Sequence, residues 1–320
     1  SSTNTDLAML KVDIKYKLSE ESDISLESYS WEQNKIYNRP VSTTRDIRIT
    51  GKETRDATKL VYRDKNLAGN TELTVVLGRS EEHIVNQHRK IFDSTITFTD
   101  EDVPFSGVKR TVNSIFIDGK TNMTGSRWIY HYGYRMDNYS DFGTYFAPRL
   151  VIYKLEKQAV LKALYGHAFR APTAIEIGGT PFITGNPNLK PETLDTYELV
   201  YLRESKKSKI ELVLFYSELI NGIQNVGGMF TNVSNSEARG IELTYARQLE
   251  KWLIESSASY TKSRDIINKA AYKAFPKYIV NLGTSYKFND GWSVHVNNRA
   301  HFGAYDTTAV TTAVELKDYW

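Results

Sequence analysis

The chain of 320 residues contains no cysteine. That excludes a disulfide framework, a Cys-ligated zinc site and an iron–sulfur cluster within it. Proline is scarce at 8 residues. No run of about 18 apolar residues occurs, so no transmembrane helix is encoded. An excess of one charge is missing too: Lys plus Arg is 41, Asp plus Glu is 38, and the net charge is +3. This near-balance argues against a nucleic-acid binder. The opening residues, SSTNTDLAMLKVDIKYKL, lack the basic start and apolar core of a signal peptide. A strand pattern begins almost at Ser1, and AVELKDYW ends inside another, so the chain reads as an internal fragment truncated at both ends. There is no GxSxG, no phosphate-binding loop and no HExxH. No catalytic residue, metal site or cofactor is expected, and the chain does not read as an enzyme.

Aromatic residues are plentiful, with 21 Tyr, 13 Phe and 5 Trp. Tyrosine suits a surface that is apolar along its body and wet at its tip. The hydrophobic period is two almost everywhere. In KYIVNLGTSYKF, residues Tyr278, Val280, Leu282, Thr284, Tyr286 and Phe288 alternate with Lys277, Asn281, Ser285 and Lys287. In WSVHVNNRAHFG, Trp292, Val294, Val296, Ala300 and Phe302 alternate with His295, Asn297, Arg299 and His301. In GIELTYARQL, Ile241, Leu243 and Tyr245 share a face. A soluble sandwich also alternates. Many strands of about ten residues with one polar face favour a membrane β-barrel with a wet lumen, whose alternation escapes a hydropathy test.

The connections form two sets. Short charged turns fall at 18–23, 155–158, 203–209, 248–251 and 287–292. Longer stretches rich in Gly, Asn and Thr fall at 36–47, 87–107, 173–192, 224–236, 266–275 and 303–312. The sets largely alternate, as expected for short turns at one rim of an outer-membrane barrel and long loops at the other. SDFG at 140–143 is an exception, a tight turn where a long loop is due. Trp252 and Trp292 each follow a short turn, where an aromatic girdle would meet the membrane interface; plugging the end of a soluble barrel is the alternative. No long helix is expected.

Residues 165–193, YGHAFRAPTAIEIGGTPFITGNPNLKPET, concentrate turn formers. Strand 161–170 rises from a short turn, with Lys162, Gly166 and Arg170 on one face and Tyr165 and Phe169 on the other. Pro172, Pro181, Pro187 and Pro191, with Gly178, Gly179 and Gly185, then make a stiff loop. The next strand returns with Tyr197, Leu199 and Tyr201 outward. In order, the chain carries YGYRMDNYSDFGTYFAPRL, LKALYGHAFRAPTAIE, GNPNLKPETLDTYEL, NSEARGIELTYARQL and FPKYIVNLGTSYKF. These motifs resemble the C-terminal barrel region of TonB-dependent outer-membrane receptors. The likeness is strong over about 125–320 and looser over 1–124, so residues 1–320 are assigned to that barrel domain.

The resemblance implies an all-β fold, an antiparallel transmembrane barrel of about 22 strands, of which about 15 are present here. It implies a plug domain lying outside this chain and location in the bacterial outer membrane among its lipids. It also implies uptake of a scarce nutrient energised by the TonB–ExbB–ExbD complex, with a ferric siderophore the commonest ligand of the family. Cobalamin, haem or oligosaccharide receptors, and a passive porin-like channel, are the alternatives. Candidate ligand-binding residues are Arg170, Glu176, Phe182, Asn186, Asn188, Tyr134 and Tyr139. Arg170 is a candidate contact for an anionic ligand or the plug; a lumenal ion pair with a neighbouring-strand carboxylate is the bland reading, and Glu176 and Glu192 share it. Asn186, Pro187, Asn188 and Leu189 suit loop shaping as well as ligand contact. Tyr134, Tyr139 and Phe182 are candidates to stack on an aromatic ligand or to belong to a girdle. Haem receptors of the family carry a His between the FRAP and NPNL motifs, as an axial ligand. Residues 173–185 contain none, which disfavours haem; His83, His88 and His167 are the alternatives. Asp100, Glu101 and Asp102 read as a solvated acidic loop more readily than as a cation site.

Overall fold

The computed structural model describes all residues except 1, 41–44, 93–96, 104–106, 181, 182, 268, 272–274, 290, 307–313 and 316–320. Fifteen strands form one antiparallel sheet that follows chain order. They are β1 (Ser2–Lys17), β2 (Ser22–Pro40), β3 (Asp46–Leu67), β4 (Thr71–Phe92), β5 (Thr97–Asp102), β6 (Lys109–Asn122), β7 (Trp128–Tyr139), β8 (Gly143–Leu155), β9 (Ala159–Arg170), β10 (Glu192–Glu204), β11 (Ser208–Val226), β12 (Met229–Gln248), β13 (Trp252–Asp265), β14 (Tyr278–Lys287) and β15 (Ser293–Phe302). Only β5 leaves the path, folding back on β4. A short helix, α1 (Ala174–Gly178), lies between β9 and β10, and β16 (Tyr305–Asp306) pairs separately with β17 (Val314–Glu315). The sheet does not close on itself, and β1 and β15 stand at its two ends.

Register sorts the side chains into two surfaces. One cross-strand row runs Ile14, Leu26, Leu60, Leu77, Ile115, Met136 and Phe146 over seven neighbouring strands. One residue along, the row on the opposite face runs Asp13, Glu27, Lys59, Gly78, Ser114, Asp137 and Tyr145. In the second half, Leu161, Tyr201, Leu212, Leu243, Ala258, Val280 and Ala300 align in the same way. Leu26, Leu60, Leu77 and Phe146 are exposed despite their apolarity. A water-facing sheet would bury such a face against another layer; a barrel wall turns it to lipid.

The rims differ as the sequence suggests, with three corrections. The short rim carries turns between β1 and β2, β8 and β9, β10 and β11, β12 and β13, and β14 and β15. At the other rim, 224–236 is not an open loop: β11 and β12 continue as a hairpin closed by Gly227 and Gly228, with φ of 58° and 85°. Two positive-φ residues give the turn whose twist matches the strands. Likewise β2 runs to Pro40, and β4 runs to Phe92 and pairs with β5, so much of 36–47 and 87–107 is strand. β3 and β4 have 22 residues each, about twice the roughly 9–11 that cross a bilayer. Pairing continues beyond it because each backbone donor and acceptor keeps its partner. SDFG joins β7 to β8 at this same rim, so the alternation of rims is kept despite its shortness.

Two aromatic levels mark the outward face. Trp252, Tyr286 and Phe288 cluster near the short rim, with ring centroids 4.6 and 4.7 Å apart. Tyr260 and Tyr278 meet at 5.1 Å further up the same strand pair. The eight intervening steps span about 26 Å along the strand at roughly 3.3 Å each, or about 20 Å along the normal at a tilt near 40°. That is close to the apolar band of an outer-membrane barrel. Leu282, on this face and four residues from both Tyr278 and Tyr286, lies midway between the two levels and provides a test. Replacing it by Arg is expected to cost about 2–4 kcal/mol. Arg at Thr244, on the lumenal face two strands away and one row along, is expected to cost about 0.5 kcal/mol. Denaturant unfolding of the micelle-bound full-length protein measures both; equal costs would refute the face assignment.

Candidate ligand-binding site

The chain leaves β9 at Arg170, which stands opposite Glu192, the first residue of β10. Pro172 then ends the strand, lacking a ladder donor, and Thr173 caps α1. The cap is reciprocal: the Glu176 amide donates to Thr173 Oγ1 at 3.2 Å, and the Thr173 amide donates to Glu176 Oε2 at 2.7 Å. Arg170 grips the same carboxylate bidentately, at 2.9 and 3.0 Å, and its Nε donates to Glu192. Glu192 Oε1 in turn accepts from the Ile223 amide at 2.7 Å. One guanidinium therefore ties β9, α1 and β10 together, and β11 through Glu192.

The rest of the loop is stitched to the β11–β12 hairpin. The Thr184 amide donates to Gly228 O at 2.7 Å, and Asn186 Nδ2 donates to Phe230 O at 3.0 Å. Asn188 donates its amide to Asn186 Oδ1, forming the Asx turn that asparagine favours. Asn232 reads both backbone groups of Lys190, at 2.8 Å each. Leu189, Pro172 and Pro191 are buried beneath. Gly185 passes so near α1 that a Cβ there would lie 2.3 Å from Ile177 O. On the other side, Arg110 of β6 donates to Pro172 O at 2.8 Å, pairs with Asp141 at 2.9 Å, and sits 4.9 Å from the Phe142 ring centroid. Phe142, Tyr139, Tyr145 and Phe169 form one aromatic cluster beside it.

Beneath this loop, along the lumenal wall, lies a groove in two connected parts that share Glu82 and Arg110. The upper part, about 310 Å³, is lined by Trp31, Ile84, Val108, Thr173 and Ala174 together with Glu53 and His83. The lower part, about 350 Å³, is lined by Tyr29, Tyr139, Arg55, Lys59, Arg79 and Arg135, among others.

Of the residues singled out from sequence, Tyr139 lines the groove, and Arg170, Glu176, Asn186 and Asn188 form the clamp above it. Tyr134 stands on the lipid-facing side, 40% exposed and stacked with Phe146 at 6.0 Å. Phe182 lies outside the described residues. His167 pairs with Asp195 at 2.9 Å, an acceptor it shares with Tyr165, and His88 pairs with Asp102 at 3.3 Å. The side chains of Asp100 and Glu101 lie outside the described ones. No cluster able to hold a metal ion occurs among the described residues. Arg55, Lys59, Arg110 and Arg135 were not singled out. Their only signal in sequence is parity: each sits at an inward position of its own strand.

Burial pushes the Glu176 carboxyl upward, but the hydrogen bonds from Arg170 and Thr173 outweigh it and hold the group below the usual carboxylate range. Its contribution to the clamp is complete above the unfolded-state value of about 4.3 and is lost as pH falls through the depressed folded value. Limited proteolysis of residues 173–190 should therefore stay slow near neutrality and accelerate below about pH 4. Arg170→Gln should produce that acceleration at neutral pH, at a local cost of about 1 kcal/mol, since the guanidinium is partly screened by solvent. Unchanged cleavage would show that the clamp does not order the loop. Independently, Gly185→Ala should destabilise the loop by about 1–3 kcal/mol through overpacking. Hydrogen exchange across 176–190 reports it; unaltered protection would show that the close approach is not maintained.

Comparison with known proteins places this geometry in context. The family model described as TonB dependent receptor-like, beta-barrel matches residues 1–320. An iron-regulated outer membrane virulence protein of Vibrio cholerae is 26% identical over 189 residues, covering 50% of this chain and 29% of that protein. Among solved structures, the copper transporter OprC aligns with a TM-score of 0.70 at 14% identity, over 92% of this chain and 51% of its own. FpvA of P. aeruginosa, in an iron complex with a heterologous pyoverdine, aligns at 0.67 and 14%, over 98% and 49%. The ferric yersiniabactin uptake receptor FyuA from Yersinia pestis aligns at 0.64 and 14%, over 94% and 51%. The chain thus spans about half the length of these three solved structures, and less of the curated relative.

Proposed function

The chain belongs to the TonB-dependent receptor-like β-barrel family, and from that premise we propose that it is part of the wall of an outer-membrane receptor importing an iron–siderophore complex. The observation that carries the reading is the lumenal groove beneath the clamped 171–191 loop, at the rim where hairpins project beyond the lipid-facing band. A ligand too large for diffusion pores would be captured between these hairpins and held in the groove. Movement of a plug, powered through TonB, ExbB and ExbD, would then open a path. That partnership is inferred from the family. No bond of the ligand needs to break, so the site requires recognition rather than acid–base or nucleophilic groups. Three of the four named relatives support iron as cargo, one being iron-regulated and two described with iron complexes, whereas OprC is a copper transporter. Their likeness otherwise concerns fold alone. In lipid the end strands β1 and β15 require partners, because an open sheet edge leaves unpaired amides in hydrocarbon; the remaining strands of a receptor would supply them.

Haem is the second reading, with His83 bordering the upper part from β4 at the outward parity of Leu77. Its imidazole would have to turn inward to serve haem iron as axial ligand. A panel of ferric siderophores, haem and cobalamin, titrated against the full-length protein in detergent and followed by tryptophan fluorescence, separates the two. Saturation by a ferric siderophore at micromolar concentration or below is the expected result. Saturation by haem alone, abolished in His83→Ala, would replace it with the second reading. Binding of neither would point away from iron and towards oligosaccharides.

A further inference from the structure

The two parts of the groove differ in chemistry. From inward positions the lower lining presents Arg55, Lys59, Arg110 and Arg135 with a single carboxylate, Glu82, while Arg79 borders it from the outward parity of β4 and pairs with Glu81 at 2.9 Å. Three of the four inward cations have partners. Arg55 meets Glu82 at 3.3 Å, Arg110 meets Asp141 at 2.9 Å, and Arg135 meets Asp137 at 2.7 Å. Asp137 is fully buried, and neither it nor Asp141 belongs to the lining. Lys59 has no carboxylate partner among the described residues, and it is exposed on the lumenal face. A ligand in the lower part therefore meets guanidinium groups and one uncompensated ammonium, with the Asp137 carboxylate buried behind the surface and Asp141 outside the lining. A concave, low-dielectric wall focuses such a field. The upper part contributes Trp31, and the lower part Tyr29 and Tyr139, as flat apolar surfaces beside these cations. Glu53 at the mouth is matched by Lys35 at 3.4 Å, so it adds little repulsion.

We propose that this groove selects a ferric chelate that is both anionic and aromatic, of the tris-catecholate type, over a neutral tris-hydroxamate, with Lys59 supplying the unpaired attraction. The proposal rests on the receptor reading above and specifies its ligand class. Ferric iron held by fully deprotonated catechols is an anion whose outer surface is a set of aromatic edges. Held by hydroxamates, the same iron is neutral and lacks those rings. Guanidinium and ammonium donors beside aromatic side chains fit the first and have no charge to meet in the second.

The test uses the full-length receptor in detergent, with a ferric tris-catecholate and a ferric tris-hydroxamate as probes and tryptophan quenching as readout. The catecholate should bind more tightly, and its affinity should fall as salt is raised, because screening weakens an exposed attraction. In Lys59→Gln the catecholate should bind about tenfold more weakly, which is about 1.4 kcal/mol, and the preference between the probes should shrink by the same factor. Heat-modifiable mobility on a gel shows whether the variant has folded. The salt dependence of the unsubstituted protein keeps the test decisive if it has not. Equal or tighter binding of the hydroxamate, or a salt-independent preference, would overturn the charge selection and leave the siderophore receptor standing. Failure of both probes to bind would overturn the selection and the receptor reading together.

Discussion

The antiparallel hydrogen-bond ladder is the constraint from which the rest of this structure follows. In hydrocarbon a backbone amide has no water to turn to, so each must find a carbonyl on the neighbouring strand. Chain-order pairing from β1 to β15 meets that demand with mostly short connections, the 171–191 segment being the longest exception. The demand does not stop at the membrane surface, because a buried or hairpin amide in water gains from the same partner. Hence β3, β4, β11 and β12 run well past bilayer length, and what would be floppy extracellular loops become paired hairpins. With register fixed, the side chains divide by parity into an apolar outer row and a polar inner one, and every later feature inherits that division.

Rigid hairpins give the 171–191 segment something to lean on. Its order comes from polar groups rather than from a core. Arg170 holds two carboxylates, Asn186 and Asn232 replace missing backbone partners, and among the described residues only Leu189, Gly179 and two prolines are buried. The Arg170 side chain is 44% exposed, so each of its ion pairs alone is worth little. Their value lies in geometry: the bidentate grip fixes α1 relative to β9, and Glu192 passes the constraint to β11. The groove below is consequently bounded above by a loop that is held in place, and on one side by Arg110, whose guanidinium serves the loop carbonyl, an aspartate and an aromatic face at once.

Much of the strand pattern was legible because period-two alternation directly encodes which side chains share a face. The outward placement of Tyr197, Leu199 and Tyr201 needed nothing more. Legibility failed where composition misleads. Residues 224–236 are rich in Gly, Asn and Ser, which reads as loop, yet two adjacent glycines with positive φ make the tightest hairpin connection available. The ion pair of Arg170 with a neighbouring-strand carboxylate was foreseeable from adjacency; the bidentate grip on Glu176 was not, because Pro172 and the capped helix turn the chain back by an amount no local pattern states. Arg55, Lys59, Arg110 and Arg135 lie on three different strands, and nothing in the separation of these positions along the chain signals that they converge.

The sequence by itself determined the class of structure and the family: alternation without long apolar runs, unequal rims, and five motifs in order. These are local or one-dimensional properties, set by the pleat and by turn chemistry. Only the tertiary structure decided how far the hairpins extend, which aromatic residues face lipid and which face the lumen, and that four cations at inward positions border one groove. Those facts depend on register across many strands, and register is a product of the whole ladder: each pairing fixes the next, and a slip of one residue anywhere would have exchanged the two faces of everything beyond it.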